Sequence, residues 1–161
     1  MDNLQQRIQR LEDIEAIKQL KARYFHACDK KDIAAIKSCF GEGKIAIDYG
    51  AIGCFENRDA FLVVYQAMAC HSTIIDMHHG QNAQINWISE TDATAIWDLF
   101  FYQINTETST LTQLAGSYAD TFSKQNGEWK IVATCFKVSS TYVANFTQTD
   151  LKVLFAGSAP Q

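Results

Sequence analysis

Apolar residues recur at three- and four-residue steps through the first twenty positions of the chain. This spacing predicts an amphipathic helix with one apolar stripe. The residues of the stripe are Leu4, Ile8, Leu11, Ile14, Ile17 and Leu20. Asp2 or Asn3 can cap the start of the helix, and the run Cys28-Asp29-Lys30-Lys31 is its predicted end.

Two shorter helices and one strand follow. Asp32 is the predicted cap of a second helix, which ends at Gly41 because glycine readily takes the conformation of a helix terminus. Lys44–Tyr49 places apolar side chains on alternate positions, which predicts an early strand. Asn57 is the predicted cap of a third helix.

From Ser72 onward the side chains alternate with the period of two that is typical of strands. The predicted strands cover about 73–79, 82–89, 92–106, 110–125 and 128–143. Asn126-Gly127 is the clearest hairpin signal, since both residues tolerate a positive φ. Three helices followed by an antiparallel meander indicate an α+β fold. We expect the helices to pack on a strongly curved, mostly antiparallel mixed sheet that forms a conical barrel around a central pocket.

Length and composition favour a single domain over residues 1–161. Hydrophobic residues make up 47% of the chain and aromatic residues 12%. These fractions exclude a disordered chain and allow a sizeable core. The last residues, 150–161, are expected to be mobile.

Charge and cysteine content restrict the partners. The formal net charge of −4 lacks the basic excess of nucleic-acid-binding proteins, and it makes an acidic membrane surface a poor partner. No apolar run approaches the roughly 18 residues that cross a bilayer, and the N-terminus lacks a secretory pattern. The five cysteines form no C-x-x-C pair. We therefore expect free, mostly buried thiols in a reducing cytoplasm.

Asp98 is the candidate site residue with the most unusual neighbours. Strand alternation places Ile96, Asp98, Phe100 and Tyr102 on one face and Ala95, Trp97, Leu99 and Phe101 on the other. Because both faces are apolar, we expect Asp98 to be buried, and a buried carboxylate must be paired, hydrogen-bonded or protonated. Asp98 is either a satisfied core carboxylate or an acid or base in the pocket.

His78 and His79 are the candidates for a general base, the usual role of histidine at neutral pH. Adjacent residues of a strand point to opposite faces, so at most one of the two enters a given pocket. They are therefore a poor pair of ligands for one metal ion. The alternative is a histidine that bonds its neighbours and does no chemistry.

Tyr24 and Asp29 lie near the end of the first helix. On a regular helix their side chains diverge by about 140°, so they converge on one pocket only if the helix unwinds near Cys28. A buried tyrosine hydroxyl can donate to a substrate carbonyl or enolate. Packing of Tyr24 and a helix-end position for Asp29 beside lysines are the alternatives. Tyr49, Tyr118 and Asp120 are further candidates, with packing or surface roles favoured. The chain contains no nucleotide-binding, zinc-protease or serine-hydrolase motif.

Three segments of the chain, in this order, resemble the SnoaL-like family of the nuclear transport factor two-like superfamily, also called the cystatin-like fold. They are Ile17-x-x-Leu20-x-x-x-Tyr24-x-x-x-x-Asp29-x-x-Asp32 with Cys39-Phe40, His78-x-x-x-Asn82-x-x-Ile85, and Tyr118-x-Asp120-x-Phe122 with Gly127-Glu128-Trp129-Lys130-Ile131. They resemble the first helices, the central histidine strand and the final hairpin of the family. The resemblance covers about residues 8–140, the expected core of the domain.

Scytalone dehydratase and bile-acid 7α-dehydratase are the family members that the pattern is most similar to. The resemblance implies that Tyr24 binds a carbonyl, that Asp29 orients His78, and that Asp98 is a second pocket carboxylate. It favours His78 over His79, because the histidine-to-asparagine spacing ends at Asn82. It also implies a homodimer through the sheet and no cofactor. A metal is not expected, because no ligand spacing in the sequence supports one. The aromatic residues expected to bind the substrate are Phe25, Tyr49, Phe100, Tyr102 and Tyr118.

The chain departs from the family at one position. Members often carry an arginine five residues after the tryptophan of the last hairpin, and Thr134 stands there. We therefore expect a neutral or carbonyl-bearing ligand, small and hydrophobic or polyketide-like or steroid-like, in preference to an anion. The function expected is a cofactor-independent dehydratase or isomerase. A non-catalytic module that binds a small molecule or a second chain is the alternative. Convergence of Tyr24, Asp29, His78 and Asp98 on an open pocket would favour the enzyme.

Overall fold

A computed structural model describes residues 3–146 and 152–158 of the chain. The helices are α1 (Leu4–Lys30), α2 (Ile33–Cys39) and α3 (Arg58–Ala69). The strands are β1 (Ala46–Asp48), β2 (Cys54–Phe55), β3 (Ile74–Trp87), β4 (Asp92–Asn105), β5 (Thr110–Gln125), β6 (Glu128–Asn145) and β7 (Lys152–Ser158). A short 3₁₀ turn, Gly50–Ile52, joins β1 to β2.

Polar side chains begin each helix at the predicted position. Asn3 caps α1 and forms a reciprocal capping box with Gln6. Asp32 accepts from the backbone N–H of Ala35 to cap α2, and Asn57 caps α3 in the same way. The predicted end of α1 is also confirmed, since Lys31 ends it in the left-handed conformation with φ 58°.

The apolar stripe predicted for α1 is partly wrong. Ile17 and Leu20 are buried, whereas Leu4, Ile8 and Leu11 are 70%, 47% and 66% exposed. A helix turns about 100° per residue, so Ile8 lies about half a turn away from Ile17 and faces solvent. Asp13 instead anchors this part of α1, because its carboxylate accepts from the Trp129 indole N–H at 2.9 Å.

Six strands follow the order β2-β1-β6-β5-β4-β3, and β7 pairs with β6. β1 runs parallel to β6, and the other neighbours are antiparallel. The predicted α+β class and the mixed, curled sheet are therefore confirmed, although the sheet stays open at its edges. The three helices cover its inner face, and the apolar side chains between them form the core.

β3 is one strand where the sequence predicts two. The pairing of β3 with β4 shifts between Gln81 and Gln84, and Asn82 between them has φ 56°. A bulge bends a strand and increases its twist without ending the pairing. The predicted break at this point is therefore a bulge. The Asn126-Gly127 hairpin is confirmed, with φ values of 52° and 83°.

The C-terminal region contributes one further strand to the sheet. Lys152–Ser158 forms β7 along the edge of β6 from Ser140 to Asn145. β1 does not reach this part of β6, so β7 satisfies backbone groups that would be unpaired. The rest of the predicted tail lies outside the described residues.

No helix in the described part of the chain is long and apolar enough to cross a membrane. All five cysteines are free, as expected. The expectation that most are buried is wrong, since only Cys28 and Cys39 are buried.

Candidate functional site

A pocket of about 250 Å³ opens between α1, α3 and the inner face of the sheet. Its wall is mainly apolar and aromatic, and Tyr24, Tyr49, Tyr118 and His78 all line it. A larger groove of about 630 Å³ lies between the start of α1 and the β3–β4 hairpin, but none of the predicted site residues lines it. The smaller pocket is therefore the candidate functional site.

His78 and Asp29 form the central polar pair of the site. The Nδ1 atom of His78 lies 2.6 Å from Asp29 Oδ1. The backbone N–H of His78 also donates to the same carboxylate, at 3.1 and 3.2 Å to its two oxygens. Because an ionised carboxylate only accepts, Nδ1 carries the proton and Nε2 is the basic nitrogen. The pair therefore has the arrangement of a general base and its orienting group.

Two aromatic rings pack against the imidazole of His78. The Phe25 ring stacks on it, with a centroid distance of 5.7 Å and an interplanar angle of 14°. The Phe101 ring lies 4.7 Å away. The side chain of His78 is 15% exposed, whereas His79 points to the outer face and is exposed. His78 thus lines the pocket, and His79 does not.

Tyr24 and Tyr49 form a second polar pair in the pocket. Their hydroxyl oxygens lie 2.7 Å apart in a buried hydrogen bond. Burial, and then the neighbouring Tyr49, raises the pKa of Tyr24 well above its ordinary value of 10.0. Burial likewise raises the pKa of Tyr49. Both phenols are therefore neutral hydrogen-bond donors over the physiological pH range.

Tyr24 and Asp29 both contribute to the site although α1 does not unwind near Cys28. The helix stays regular through Lys30, so the two side chains leave it in different directions. Tyr24 lines the pocket, whereas Asp29 reaches Nδ1 of His78. His78 thus joins Asp29 to the pocket, and direct convergence of Tyr24 and Asp29 is not needed.

The predicted burial of Asp98 is wrong. Asp98 is exposed on the outer face of β4 and accepts from Asn82 Nδ2 at 2.7 Å. Phe100, 42% exposed, lies on the same face, as does Tyr102 by strand alternation. The pocket is lined instead by Leu99 and its alternate neighbours along the strand. Contrary to the prediction, Asp98, Phe100 and Tyr102 therefore do not line the pocket.

The other two aromatic candidates lie close to the site. Tyr118 is buried and lines the pocket. Phe25 is also buried, but it lies against the His78 ring and is not part of the pocket wall. Phe25 thus packs against the imidazole. It does not line the pocket, contrary to the prediction that it binds substrate directly.

Asp76 is a pocket residue that the sequence reasoning missed. Its side chain is only 4% exposed and is paired with Lys31. Gln103 also donates to it, with 2.8 Å between Nε2 and Oδ1. Strand alternation was the available signal, because Asp76 lies two residues before His78 and shares its face. Asp76 is the second carboxylate of the pocket, in place of Asp98.

A buried ion pair lies behind the pocket. Lys21 Nζ is 2.7 Å from Asp120 Oδ2, and both side chains are almost fully buried. The ammonium lies 3.6 Å from the centroid of the Tyr118 ring. Burial lowers the pKa of Lys21, and the nearby Asp120 partly opposes this shift. The sequence reasoning missed Lys21, since a lysine within an amphipathic helix normally faces solvent.

Thr134 occupies the position where relatives often carry an arginine. Its hydroxyl donates to Asp120 Oδ1 at 2.7 Å, and the residue is buried. The position supplies no cation to the pocket. In the part of the chain that the structure describes, no group of three or more His, Cys, Asp or Glu side chains is arranged to hold a metal ion.

Comparison with known protein families shows which family the chain belongs to. Residues 9–134 match the model of the SnoaL-like domain. The chain belongs to the SnoaL-like family. The match includes α3, most of α1 and the strands that carry His78 and Tyr118. Every residue that lines the pocket except Phe136 therefore lies within the matched domain.

Solved structures share the fold of this SnoaL-like chain. A Novosphingobium aromaticivorans protein provisionally described as a scytalone dehydratase superposes with a TM-score of 0.76 at 22% identity, over 83% of this chain and 88% of that one. The hexachlorocyclohexane dehydrochlorinase LinA-type3 of Novosphingobium barchaimii LL02 has a TM-score of 0.74 at 16% identity, over 95% and 99%. A cystatin-like protein of unknown function from Nostoc punctiforme has a TM-score of 0.64 at 22% identity, over 78% and 90%.

Proposed function

We propose that this SnoaL-like chain is a cofactor-independent dehydratase or isomerase that removes a proton next to a carbonyl group of a small hydrophobic molecule. The observation that carries the proposal is the 2.6 Å contact between His78 Nδ1 and Asp29 Oδ1 at the wall of an aromatic pocket. A histidine held by its Nδ1 keeps its other ring nitrogen free to act as a base, and His78 lines the pocket that a ligand can enter.

The first step is proton abstraction. Nε2 of His78 takes a proton from the carbon next to the carbonyl, and the electron pair of the C–H bond forms an enolate. Asp29 stabilises the imidazolium that results and keeps its ring in place. The hydroxyl pair of Tyr24 and Tyr49 donates a hydrogen bond to the enolate oxygen. A positioned general base of this kind contributes roughly 10²–10⁴-fold to the rate.

The second step returns the proton. In a dehydratase, the imidazolium of His78 gives it to a hydroxyl group at the β carbon, the C–O bond breaks, and water leaves. In an isomerase, the same proton returns to a different carbon. Neither route uses Asp98, which faces away from the pocket. One group acting first as base and then as acid is sufficient for both routes.

The pocket chemistry favours a small, mostly apolar substrate. A cavity of about 250 Å³ is at the small end for ligand sites, which typically measure about 300–1,000 Å³. No arginine stands at position 134 to bind a carboxylate. A neutral ring compound with one carbonyl matches this lining. Two of the structural relatives are described as a dehydratase and a dehydrochlorinase, and both names denote eliminations.

The test is a panel of small cyclic ketones and β-hydroxy ketones incubated with the protein in D₂O. We expect deuterium next to the carbonyl of at least one compound, with or without loss of water, measured by NMR and mass spectrometry. His78→Gln should abolish the exchange. His79→Gln is the matched control, because it makes the same change one residue away on the outer face.

The outcomes separate the two functional classes. Deuterium incorporation that depends on His78 supports a proton-transfer enzyme. A compound that binds the pocket without exchanging any proton indicates the binding module instead and contradicts the proposal. Exchange that persists in His78→Gln also contradicts it, because the base then lies elsewhere.

A further inference from the structure

Two polar contacts join the end of α1 to β3, one beside the other. Asp29 of the helix accepts from His78 of the strand. Lys31, two residues later along the chain, pairs with Asp76, which lies two residues before His78. The helix end thus supplies the acidic residue Asp29 and then the basic residue Lys31. The strand supplies their partners, His78 for Asp29 and Asp76 for Lys31. We call these four residues the charge ladder.

The contact between Lys31 and Asp76 is the outer contact of the charge ladder, and it is substantially buried. The side chain of Asp76 is 4% exposed and that of Lys31 is 19% exposed. Gln103 Nε2 donates to the other oxygen of Asp76 at 2.8 Å, so both carboxylate oxygens have partners. Removing one member of such a pair leaves a buried charge without compensation, which costs far more than breaking an exposed ion pair.

The backbone at Lys31 has little freedom to compensate. Its left-handed conformation ends α1, and its N–H donates to the carbonyl oxygen of Cys28 at 3.1 Å. The Tyr65 hydroxyl donates to the same carbonyl oxygen at 2.7 Å. The last turn of α1 is therefore a defined structure, and the side chain of Lys31 fixes it directly to β3.

We propose that Lys31 and Asp76 are positioning residues that hold Asp29 against His78. Their contact keeps the helix end at the distance from β3 at which one carboxylate reaches both the ring and the backbone N–H of His78. The inference deepens the proposed function, since it concerns the same base, but it can be tested on the protein without any ligand.

The charges of the charge ladder come from the end of α1 and from β3. Tyr65 of α3 and Cys70 at the end of α3 lie close enough to Asp76 to interact with it electrostatically. The helix end supplies Asp29 and Lys31, and β3 supplies Asp76. β4 faces the ladder with the uncharged Phe101 and Gln103. Loss of one charge in the outer contact is therefore not masked by a neighbouring charge from β4.

Hydrogen exchange at His78 is the direct readout. Both the Nδ1–H and the backbone N–H of His78 donate to Asp29, so their exchange rates report how firmly Asp29 is held. In Lys31→Met and Asp76→Asn we expect both protons to exchange at least about tenfold faster in NMR measurements, which corresponds to about 1.4 kcal/mol. Amides of β5 and β6 should keep their rates, and Lys31→Arg should retain most of the protection.

Lys37→Met is the matched control. It removes a lysine from another ion pair, with Asp59, whose side chains are 44% and 68% exposed. We expect no change in the exchange of His78 in this variant. If Asp76→Asn does not fold, the comparison of Lys31→Met with Lys31→Arg carries the test.

Two results would overturn the inference. One is unchanged exchange at His78 in a folded Lys31→Met protein. The other is an equal loss of protection throughout the sheet, which would make the contact a general stabiliser. Failure of the proposed function is separate, since it would show as an absence of deuterium transfer to the ketone panel while the exchange pattern at His78 stayed as described.

Discussion

The hydroxyl groups of Tyr24 and Tyr49 share one hydrogen bond of 2.7 Å inside the pocket. Two phenols bring two protons to this contact, and a single bond between them uses only one. Tyr49 also lies within hydrogen-bonding reach of Thr134, so a ligand oxygen in the pocket would compete with that contact for the second proton. The pair can therefore act as a donor whose strength increases through the neighbouring hydroxyl, since hydrogen bonds in a chain polarise one another.

Removal of either hydroxyl tests this arrangement. In Tyr24→Phe and Tyr49→Phe we expect the rate of deuterium transfer to an active ketone to fall, by about 10²–10³-fold for the phenol that donates directly to the substrate. The other variant should lose less, because it only weakens the donor. Rates are measured by NMR at saturating ketone.

Tyr102→Phe provides the control, because it removes the same hydroxyl from the outer face of β4. We expect it to keep the full rate. Equal, unreduced rates in all three variants would contradict the role of the pair, and the enolate oxygen would then need another donor.

Local signals in the sequence were sufficient for much of the fold. Asn3, Asp32 and Asn57 act at the helix starts where their side chains predict caps, because capping depends on residues within one turn. The Asn126-Gly127 hairpin likewise follows from two neighbouring residues. Such features are readable because their partners are close in sequence.

The face of β4 that lies against the core could not be predicted from such local signals. Strand alternation gives two sets of residues, and both sets are apolar around Asp98. The outer set keeps its apolar side chains, including Ile96 at 46% exposure, so composition did not distinguish it from the inner set. The contact of Lys31 with Asp76 was inaccessible for a different reason: it joins residues 45 positions apart, and only the tertiary structure brings them together.

Gly80 is required where β3 passes under Phe25. A Cβ atom at position 80 would overlap the Phe25 ring, which stacks on His78. We expect Gly80→Ala to destabilise the protein by about 1–3 kcal/mol, the usual cost of overpacking. Urea unfolding measures this change, and the NMR signals of the His78 ring should shift in the same variant.

A double-mutant cycle with Phe25→Leu isolates the cause. The smaller side chain leaves room for the new methyl group, so the double variant should lose less stability than the two single changes added together. Additive losses would show that Gly80 is needed for backbone conformation and not for space under the ring.

We propose that the chain forms a homodimer through the outer face of its sheet, with a second copy as the occupant. This face exposes Ile75, Met77, Ile96 and Phe100 at 42–52%. It also carries opposite charges in one row, since Asp98 pairs with Ser117 and Ser117 with Lys137. In a two-fold arrangement, the acid of each copy can face the lysine of the other.

Sedimentation equilibrium tests the dimer. We expect the wild-type protein to be dimeric at micromolar concentration, and Phe100→Glu to be monomeric because it places a charge in the centre of the apolar face. Val63→Glu is the control, since Val63 is 71% exposed on α3 and should not affect assembly. A monomeric wild-type protein, or dissociation by Val63→Glu alone, would contradict this interface.

Alkaline pH should destabilise the protein through its buried phenols. Burial raises the pKa values of Tyr24, Tyr49 and Tyr118 above their ordinary value of 10.0. Above pH 10 the unfolded chain therefore loses phenol protons that the folded chain keeps. The stability that these groups contribute is complete below pH 10 and falls as pH rises, by about 1.4 kcal/mol per pH unit for each phenol.

Urea unfolding between pH 9 and 11.5 measures this slope, and near-ultraviolet absorbance reports phenolate formation. The three phenols should ionise only as the protein unfolds. Tyr118→Phe removes one group, so its stability should fall less steeply above pH 10, by about 1.4 kcal/mol per pH unit, whatever its stability at neutral pH. Tyr24→Phe should reduce the slope by a similar amount, because each buried phenol contributes one proton. An unchanged slope in both variants would mean that these phenols ionise in the folded protein, and the pocket would then be open to hydroxide.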